Sequence, residues 1–122
     1  MFEKKIINYP EYVNIRETEQ ILEQMKRSIC KINKGTKERG SGFFCYIPNN
    51  NKKIKVLITN YHVIDDKYIK DNGKINLEIN NGQIYKNILL EDDRKIYLSE
   101  INQDDLAIIE IKDKDDLNEI NF

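Results

Sequence analysis

The chain has little of what several protein classes require. Its 122 residues include one histidine and two cysteines, without a Cys-x-x-Cys or His-x-x-x-His spacing, so neighbouring positions cannot assemble a zinc site. No window approaches the roughly 18 consecutive apolar residues of a membrane span, and the N-terminus has no apolar signal core. We therefore expect no metal or other cofactor, no membrane partner and a cytoplasmic location.

An excess of charge of one sign is also lacking. The chain has 20 basic and 21 acidic residues, a net charge of −1, and neither sign forms a long block. The basic patch with which proteins bind nucleic acid is therefore not predicted. Binding of single strands would also need aromatic and basic residues on one strand face. Phe43, Phe44 and Tyr46 have no adjacent lysine or arginine, so we expect no nucleic-acid partner.

The two cysteines are too few for a disulfide framework in a chain of this size. If 34-KGTKERG-40 is the turn between two strands, symmetric pairing places Cys30 close to opposite Cys45. Reduced, buried thiols are the favoured interpretation, because the cytosol keeps thiols reduced. A bridge between the two cysteines remains the alternative.

A helical pattern precedes the strands. Asn14, followed three residues later by Glu17, resembles a capping box at a helix start. The pattern predicts an amphipathic helix that ends near Arg27, so residues 1–27 are an N-terminal extension and helix. We expect this helix to cover the core, with partner binding as the alternative. The positions that recur at spacings of three and four are Ile15, Thr18, Leu22, Met25 and Ile29.

The rest of the chain, residues 28–122, has the pattern of one β domain. The period drops to two, turn residues arrive at short intervals, and 39% apolar content is enough for one core. Six antiparallel strands hide their edges best by closing, which favours a mainly β fold with a six-stranded barrel over a sandwich. The predicted strands are 28–33, 41–47, 54–60, 74–80, 83–90, which either stops there or continues through 94–99, and 105–111.

The single histidine, His62, follows directly after a predicted strand. A side chain at a strand's end is rigidly held without being enclosed, which suits a proton carrier, and such a base needs an acceptor for its other ring nitrogen. Asp105 opens an apolar strand and is anchored beside the core, with Asp104 just before it. Asp65 and Asp66 suit a capping role after the histidine. From these patterns alone, a surface histidine and ordinary turn carboxylates remain the alternatives.

Three short motifs occur in order along the chain: 40-GSGFF-44, 57-LITNYHV-63 and 105-DLAII-109. Together they resemble the first half of trypsin-like serine peptidases, most closely the bacterial-type, intracellular branch, over about residues 28 to 111. The resemblance implies the first of two six-stranded β-barrels and a polypeptide substrate. It also implies that His62 is the catalytic base and Asp105 its orienting carboxylate.

The chain departs from that family in several places. Val63 stands where secreted members have a bridging cysteine, and a predicted helix replaces the Ile-Val-Gly-Gly activation sequence. The family's nucleophile lies in a G-[DN]-S-G-G-type loop of the second barrel, which no part of this sequence matches. Ser28 and Ser99 have no flanking glycines. The resemblance assigns Ser41 of G-S-G to the second strand of the first barrel, and strand alternation gives Cys45 no site as a nucleophile.

These features predict half of a serine endopeptidase that is inactive by itself. His62 and Asp105, without a nucleophile, an oxyanion hole or a specificity pocket, should not hydrolyse peptide bonds measurably. The expected partner is a second-barrel chain or, through an exposed inter-barrel face, another copy of this chain. A non-catalytic protein-binding module that uses the barrel and the N-terminal helix is the alternative function.

Overall fold

The computed structural model describes residues 15–34, 38–118, 120 and 122, and the fold is mainly β. The predicted helix is present and ends one residue after Arg27, whereas the predicted cap at Asn14 lies outside the described residues. The elements are α1 (Ile15–Ser28), β1 (Ile29–Lys34), β2 (Glu38–Asn49), β3 (Lys52–Thr59), α2 (Asp66–Asn72), β4 (Lys74–Ile79), β5 (Ile84–Leu89), β6 (Ile96–Ser99), β7 (Leu106–Glu110) and a 3₁₀ turn (Asp113–Asp115).

A second helix, α2, adds to the single N-terminal helix that was predicted. Asp65 caps its start, because Oδ1 accepts the amide of Tyr68 at 2.8 Å, and Gly73 ends it in a left-handed conformation with a φ of 67°. Seven residues are too few for an apolar period to show in the sequence. Tyr68 and Ile69 pack against the core, so α2 covers part of it. Neither helix of the described residues is long and apolar enough to cross a membrane.

The strands form one antiparallel sheet in the order β5–β4–β1–β2–β3–β7–β6. The structure therefore corrects the prediction of six strands closed into a barrel. The predicted strand that started at residue 83 divides into β5 and β6, because a turn joins the Arg94 amide to the Glu91 carbonyl at 3.1 Å and interrupts the extended chain. β5 and β6 become the two edges of a seven-stranded sheet, and no ladder joins them among the described strands.

All seven strands contribute side chains to one hydrophobic core. Ile88 of the edge strand β5 and Leu98 of the opposite edge strand β6 contact the same cluster, so the sheet curls around it. Along β4, buried and less buried residues alternate, as a strand with one inner face requires. The most deeply buried side chains include Ile32, Leu57, Ile75, Leu77, Ile88 and Ile109.

The register of β1 and β2 corrects the predicted placement of the cysteines. Cys30 lies opposite Gly42, and Cys45 lies opposite Val56 of β3. Cys30 points into the core while Cys45, three positions beyond Gly42, points to the other face, so a bridge between them is ruled out by geometry. Both are free thiols, and burial raises the pKa of Cys30 to about 12 and also raises the pKa of Cys45.

A buried arginine joins the edge of the sheet to the 3₁₀ turn. The Arg94 side chain is 0% exposed, and each of its five N–H groups has an acceptor. Nε donates to the backbone carbonyl of Leu89 at 2.8 Å, and Nη1 to that of Glu110 at 2.7 Å. The two carboxylate oxygens of Asp115 accept from Nη1 and Nη2 at 2.7 and 2.8 Å, and Glu91 accepts from Nη2 at 3.2 Å.

Candidate functional site

The candidate site begins on the turn that follows β3. The carbonyl of Asn60 accepts the amides of Val63 and Ile64 at 3.0 and 3.1 Å, which reverses the chain. Val63 and Ile64 are buried in the core and hold the turn in place. The side chain of His62 stays 57% exposed. The predicted proton carrier is thus fixed at its backbone and accessible at its ring.

Asp105 approaches His62 from the start of β7, 43 residues further along the chain. Its carboxylate makes two hydrogen bonds to the histidine: Oδ1 accepts the His62 amide at 2.9 Å, and Oδ2 lies 2.7 Å from Nδ1. An ionised carboxylate can only accept, so Nδ1 carries the proton in the neutral ring. Nε2, the nitrogen left to act as a base, makes no hydrogen bond with any residue that the structure describes. The two predicted site residues therefore lie together in the orientation that a histidine base needs.

The environment of Asp105 favours its ionised form. Partial burial raises the pKa of this carboxyl, but hydrogen bonds from the amide and ring of His62 and from the amide of Tyr61 outweigh it. The balance lowers the pKa of Asp105 below its ordinary value. A carboxylate kept ionised in this way can stabilise an imidazolium beside it.

The lowered pKa of Asp105 predicts a pH-dependent contribution to stability. The ionised carboxylate stabilises the folded chain in full above the ordinary pKa of about 4, and this contribution is lost as the pH falls through the lower folded value. The difference in urea midpoint between the wild type and Asp105→Asn should therefore shrink between about pH 6 and about pH 2.5. Asp92→Asn, an exposed aspartate between β5 and β6, is the control. A difference that stays constant over this range would contradict the pairing.

The other three carboxylates that the sequence offered are engaged elsewhere. Asp65 caps α2 through Tyr68, as expected, and Asp66 accepts from the hydroxyl of the tyrosine before the histidine at 3.2 Å. Asp104 accepts from the hydroxyl of Ser99 at 3.2 Å. Asp105 is thus the carboxylate that reaches the imidazole. Among the described residues, no group of three His, Cys, Asp or Glu side chains is placed to hold a metal ion.

None of the three serines is paired with the histidine in the described part of the chain. Ser28 ends α1, and Ser99 is buried. Ser41 lies in β2, where its backbone carbonyl accepts the hydroxyl of Thr59 at 2.7 Å. That bond ties β2 to the end of β3, and no hydrogen bond from a described residue joins Ser41 to His62. Within the part of the chain that the structure describes, no serine is therefore hydrogen-bonded to the His62–Asp105 pair.

The two glycines around Ser41 allow close packing beneath the site. A Cβ atom at Gly40 would lie 2.4 Å from Cγ1 of Val63, in the turn that carries the histidine. A Cβ atom at Gly42 would lie 2.9 Å from Cδ1 of Leu57. A Cβ atom at either position would force the neighbouring side chain to move, so the glycines let β2 pass this close to its neighbours.

An exposed apolar row crosses the outer face of the sheet next to this turn. Directly opposed residues of antiparallel strands share a face, and the register aligns five of them across β1, β2, β3, β7 and β6: Ile29, Phe43, Ile58, Ile108 and Tyr97. Ile29, Phe43 and Tyr97 are 42%, 47% and 55% exposed. A cleft of about 430 Å³ in this face is lined by Phe43, Ile58 and Leu106 and reaches the histidine turn at Asn60.

Asn60 is a site residue for which the sequence predicted no role. Its Nδ2 donates to the backbone carbonyl of Asp105 at 3.1 Å. The only signal in the sequence was its position after a strand. Asparagine side chains in such positions commonly bond to backbone groups. The acceptor lies 45 residues away in the sequence, so no local pattern identifies it.

Comparison of the chain with known proteins found no match. No protein-family model matches it, and neither the curated proteins nor the solved structures searched contain a match.

Proposed function

We propose that this chain carries the base and the orienting carboxylate of a serine endopeptidase site, and that the nucleophile comes from polypeptide outside these 122 residues. The observation that carries the proposal is the pair of hydrogen bonds from His62 to Asp105, at 2.9 and 2.7 Å. In the completed site, Nε2 of His62 takes the proton of the serine hydroxyl as its oxygen attacks a peptide carbonyl. The same nitrogen returns the proton to the leaving amine, while Asp105 keeps Nδ1 protonated.

The fold proposed with this function is an open-sheet counterpart of the first half of a trypsin-like peptidase. The order of the three motifs, the resemblance they carry and the curl of the sheet around one core support it.

The apolar row supports the proposal that a second unit binds beside the site. Monomeric proteins rarely leave a large contiguous apolar surface exposed, and such surfaces commonly mark interfaces. This row adjoins the cleft that reaches the histidine turn at Asn60, so a unit seated on it would bring its own residues close to His62. A nucleophile and an oxyanion hole supplied from there would complete the site.

A non-catalytic protein-binding module is the second candidate. The observation that favours it is the composition of the same row, in which Phe43 and Tyr97 are exposed. Aromatic side chains are enriched at protein interfaces. In this case the partner would bind without a serine near His62.

The test is labelling by a fluorophosphonate probe, which reacts with serines that a base activates. We expect no labelling and no casein cleavage by residues 1–122 alone. The natural assembly, isolated from its source cells through an affinity tag on this chain, should be labelled on a serine outside residues 1–122. His62→Ala in the tagged chain should abolish that labelling, and Ser41→Ala, the matched control, should leave it unchanged.

Each other outcome contradicts the proposal. Cleavage of casein by residues 1–122 that His62→Ala abolishes would place the nucleophile within this chain. Capture of a partner through the apolar row, without any labelling that depends on His62, would favour the binding module instead.

A further inference from the structure

We infer that Asn60 is a positioning residue, whose side-chain amide holds the backbone of Asp105 in the conformation that lets its carboxylate bind both the amide and the ring of His62. The inference deepens the proposed function and rests on it only for its consequence in catalysis. The arrangement itself concerns three described residues and needs no second unit.

The conformation of Asp105 needs support from its surroundings. Its φ is 50°, in the left-handed region that residues other than glycine occupy infrequently. Neither ladder of β7 includes it, because the last pairs are Thr59 with Ala107 on one side and Ser99 with Leu106 on the other. Asp105 lies just beyond both pairs. Contacts outside the sheet must therefore select its backbone conformation.

Two hydrogen bonds to the backbone of Asp105 do so. The Asp105 amide donates to the carbonyl of Glu100 at 2.9 Å, which closes the loop before β7. The Asp105 carbonyl accepts from Nδ2 of Asn60 at 3.1 Å. The first bond fixes the residue within its own loop, and the second fixes that loop against the turn after β3.

Asn60 is itself held by the turn that carries the histidine. Its carbonyl accepts the amides of Val63 and Ile64, so its backbone and that of His62 belong to one hydrogen-bonded unit. The side chain of Asn60 then reaches from this unit to Asp105. His62 and Asp105 lie 43 residues apart in the sequence. The side chain of Asn60 fixes the backbone of Asp105 relative to that of His62.

The chemical consequence concerns the tautomer of the histidine. While Asp105 accepts from Nδ1, the neutral ring keeps its proton there and leaves Nε2 as a base. Without the Asn60 bond, Asp105 can leave the left-handed region and turn its carboxylate away from the ring. The neutral imidazole then populates both tautomers, and the one protonated at Nε2 cannot accept a proton from a nucleophile.

The test uses nitrogen-15 NMR on the 122-residue chain, where His62 is the only histidine and its ring signals need no further assignment. In the wild type at alkaline pH, we expect a single tautomer protonated at Nδ1. Asn60→Ala should lose that single tautomer and show a mixture. Carbon-13 titration of the same variant should show the pKa of Asp105 moving up toward its ordinary value.

A matched control separates positioning from general loss of structure. The Asn72 side chain makes the same kind of hydrogen bond, from Nδ2 to the carbonyl of Tyr68 at 2.9 Å, at the end of α2. Asn72→Ala should leave the tautomer of His62 and the pKa of Asp105 as they are in the wild type. Asn60→Asp keeps the size of the side chain without its donor, so it should reproduce the mixture of tautomers.

The outcomes decide the inference without reference to activity. If Asn60→Ala and Asn60→Asp are folded and keep the single Nδ1-protonated tautomer, the inference is wrong. If Asn60→Ala does not fold, Asn60→Asp decides in its place, and failure of both to fold would show that Asn60 is a structural residue rather than a positioning one. A negative result leaves the probe-labelling test of the peptidase proposal standing, and a negative labelling result leaves this geometry standing.

Discussion

Arg94→Met is expected to lower the free energy of unfolding by about 3–5 kcal/mol, as removal of one partner from a buried ion pair does. Methionine is long and unbranched, so it fills much of the space while removing all five donors. It leaves Asp115, which is 4% exposed at its side chain, buried without its cation, and two backbone carbonyls without their donor. Urea unfolding followed by circular dichroism measures the loss. With a total stability of roughly 5–15 kcal/mol, the variant will be close to unfolding.

The control for Arg94 is an ion pair that joins β5 to the residue after the 3₁₀ turn and is more exposed than the Arg94–Asp115 pair. Lys86 and Asp116 lie 3.5 Å apart, and the Asp116 side chain is 70% exposed. Lys86→Met should therefore change the stability by no more than about 1 kcal/mol. Adding Asp115→Leu to Arg94→Met should recover part of the loss, because the unpaired buried charge is then gone. Equal effects of Arg94→Met and Lys86→Met would refute the structural role of the buried arginine.

If the proposed peptidase is formed, Asp105→Asn is expected to lower its kcat by about 10⁴-fold, with a smaller effect on KM. The asparagine amide can donate to Nδ1 of His62, which stabilises the tautomer that carries its proton on Nε2. The base is then blocked although the geometry is nearly unchanged. Steady-state hydrolysis of a peptide substrate by the natural assembly measures the loss.

Asp104→Asn is the matched control, because it removes the neighbouring carboxylate without touching the histidine. Asp104 is bonded to Ser99, so its replacement should leave kcat within a few-fold of the wild type. A loss of similar size in both variants would mean that the loop, and not the carboxylate on the ring, is what the reaction requires. A peptidase that keeps full activity with Asp105→Asn would contradict the proposed role of the His62–Asp105 pair.

The local chemistry of the site was readable from the sequence because it depends on short-range patterns. A β-branched run followed by Thr59 and Asn60 predicts where a strand ends and where the exposed His62 begins. The start of an apolar run at Asp105 predicts an anchored carboxylate. The choice of Asp105 over Asp104 depended on the resemblance to a family motif, and the 2.7 Å contact with the ring agrees with that choice.

Other features could not be predicted from the sequence because they depend on strand register or on burial. Cys30 lies opposite Gly42 rather than near Cys45, since a turn displaced by a residue or two changes every pair in a hairpin. The break between β5 and β6 includes 91-EDDRK-95, a charged run without the glycine or proline that would have marked the end of a strand. Arg94 stands among charged neighbours, and no property of its sequence context distinguishes an enclosed guanidinium from a solvated one.

The mainly β class, the helix before it and the choice of His62 and Asp105 as candidate residues came from the sequence, because period, turn chemistry, strand ends and short motifs are local properties of the chain. Only the tertiary structure decided that the sheet has seven strands with two edges, that Arg94 is enclosed and that Asn60 reaches Asp105. Arg94 bonds to the carbonyl of Glu110, 16 residues away, and Asn60 bonds to that of Asp105, 45 residues away. Contacts at such distances are selected by packing of the whole core rather than by any segment.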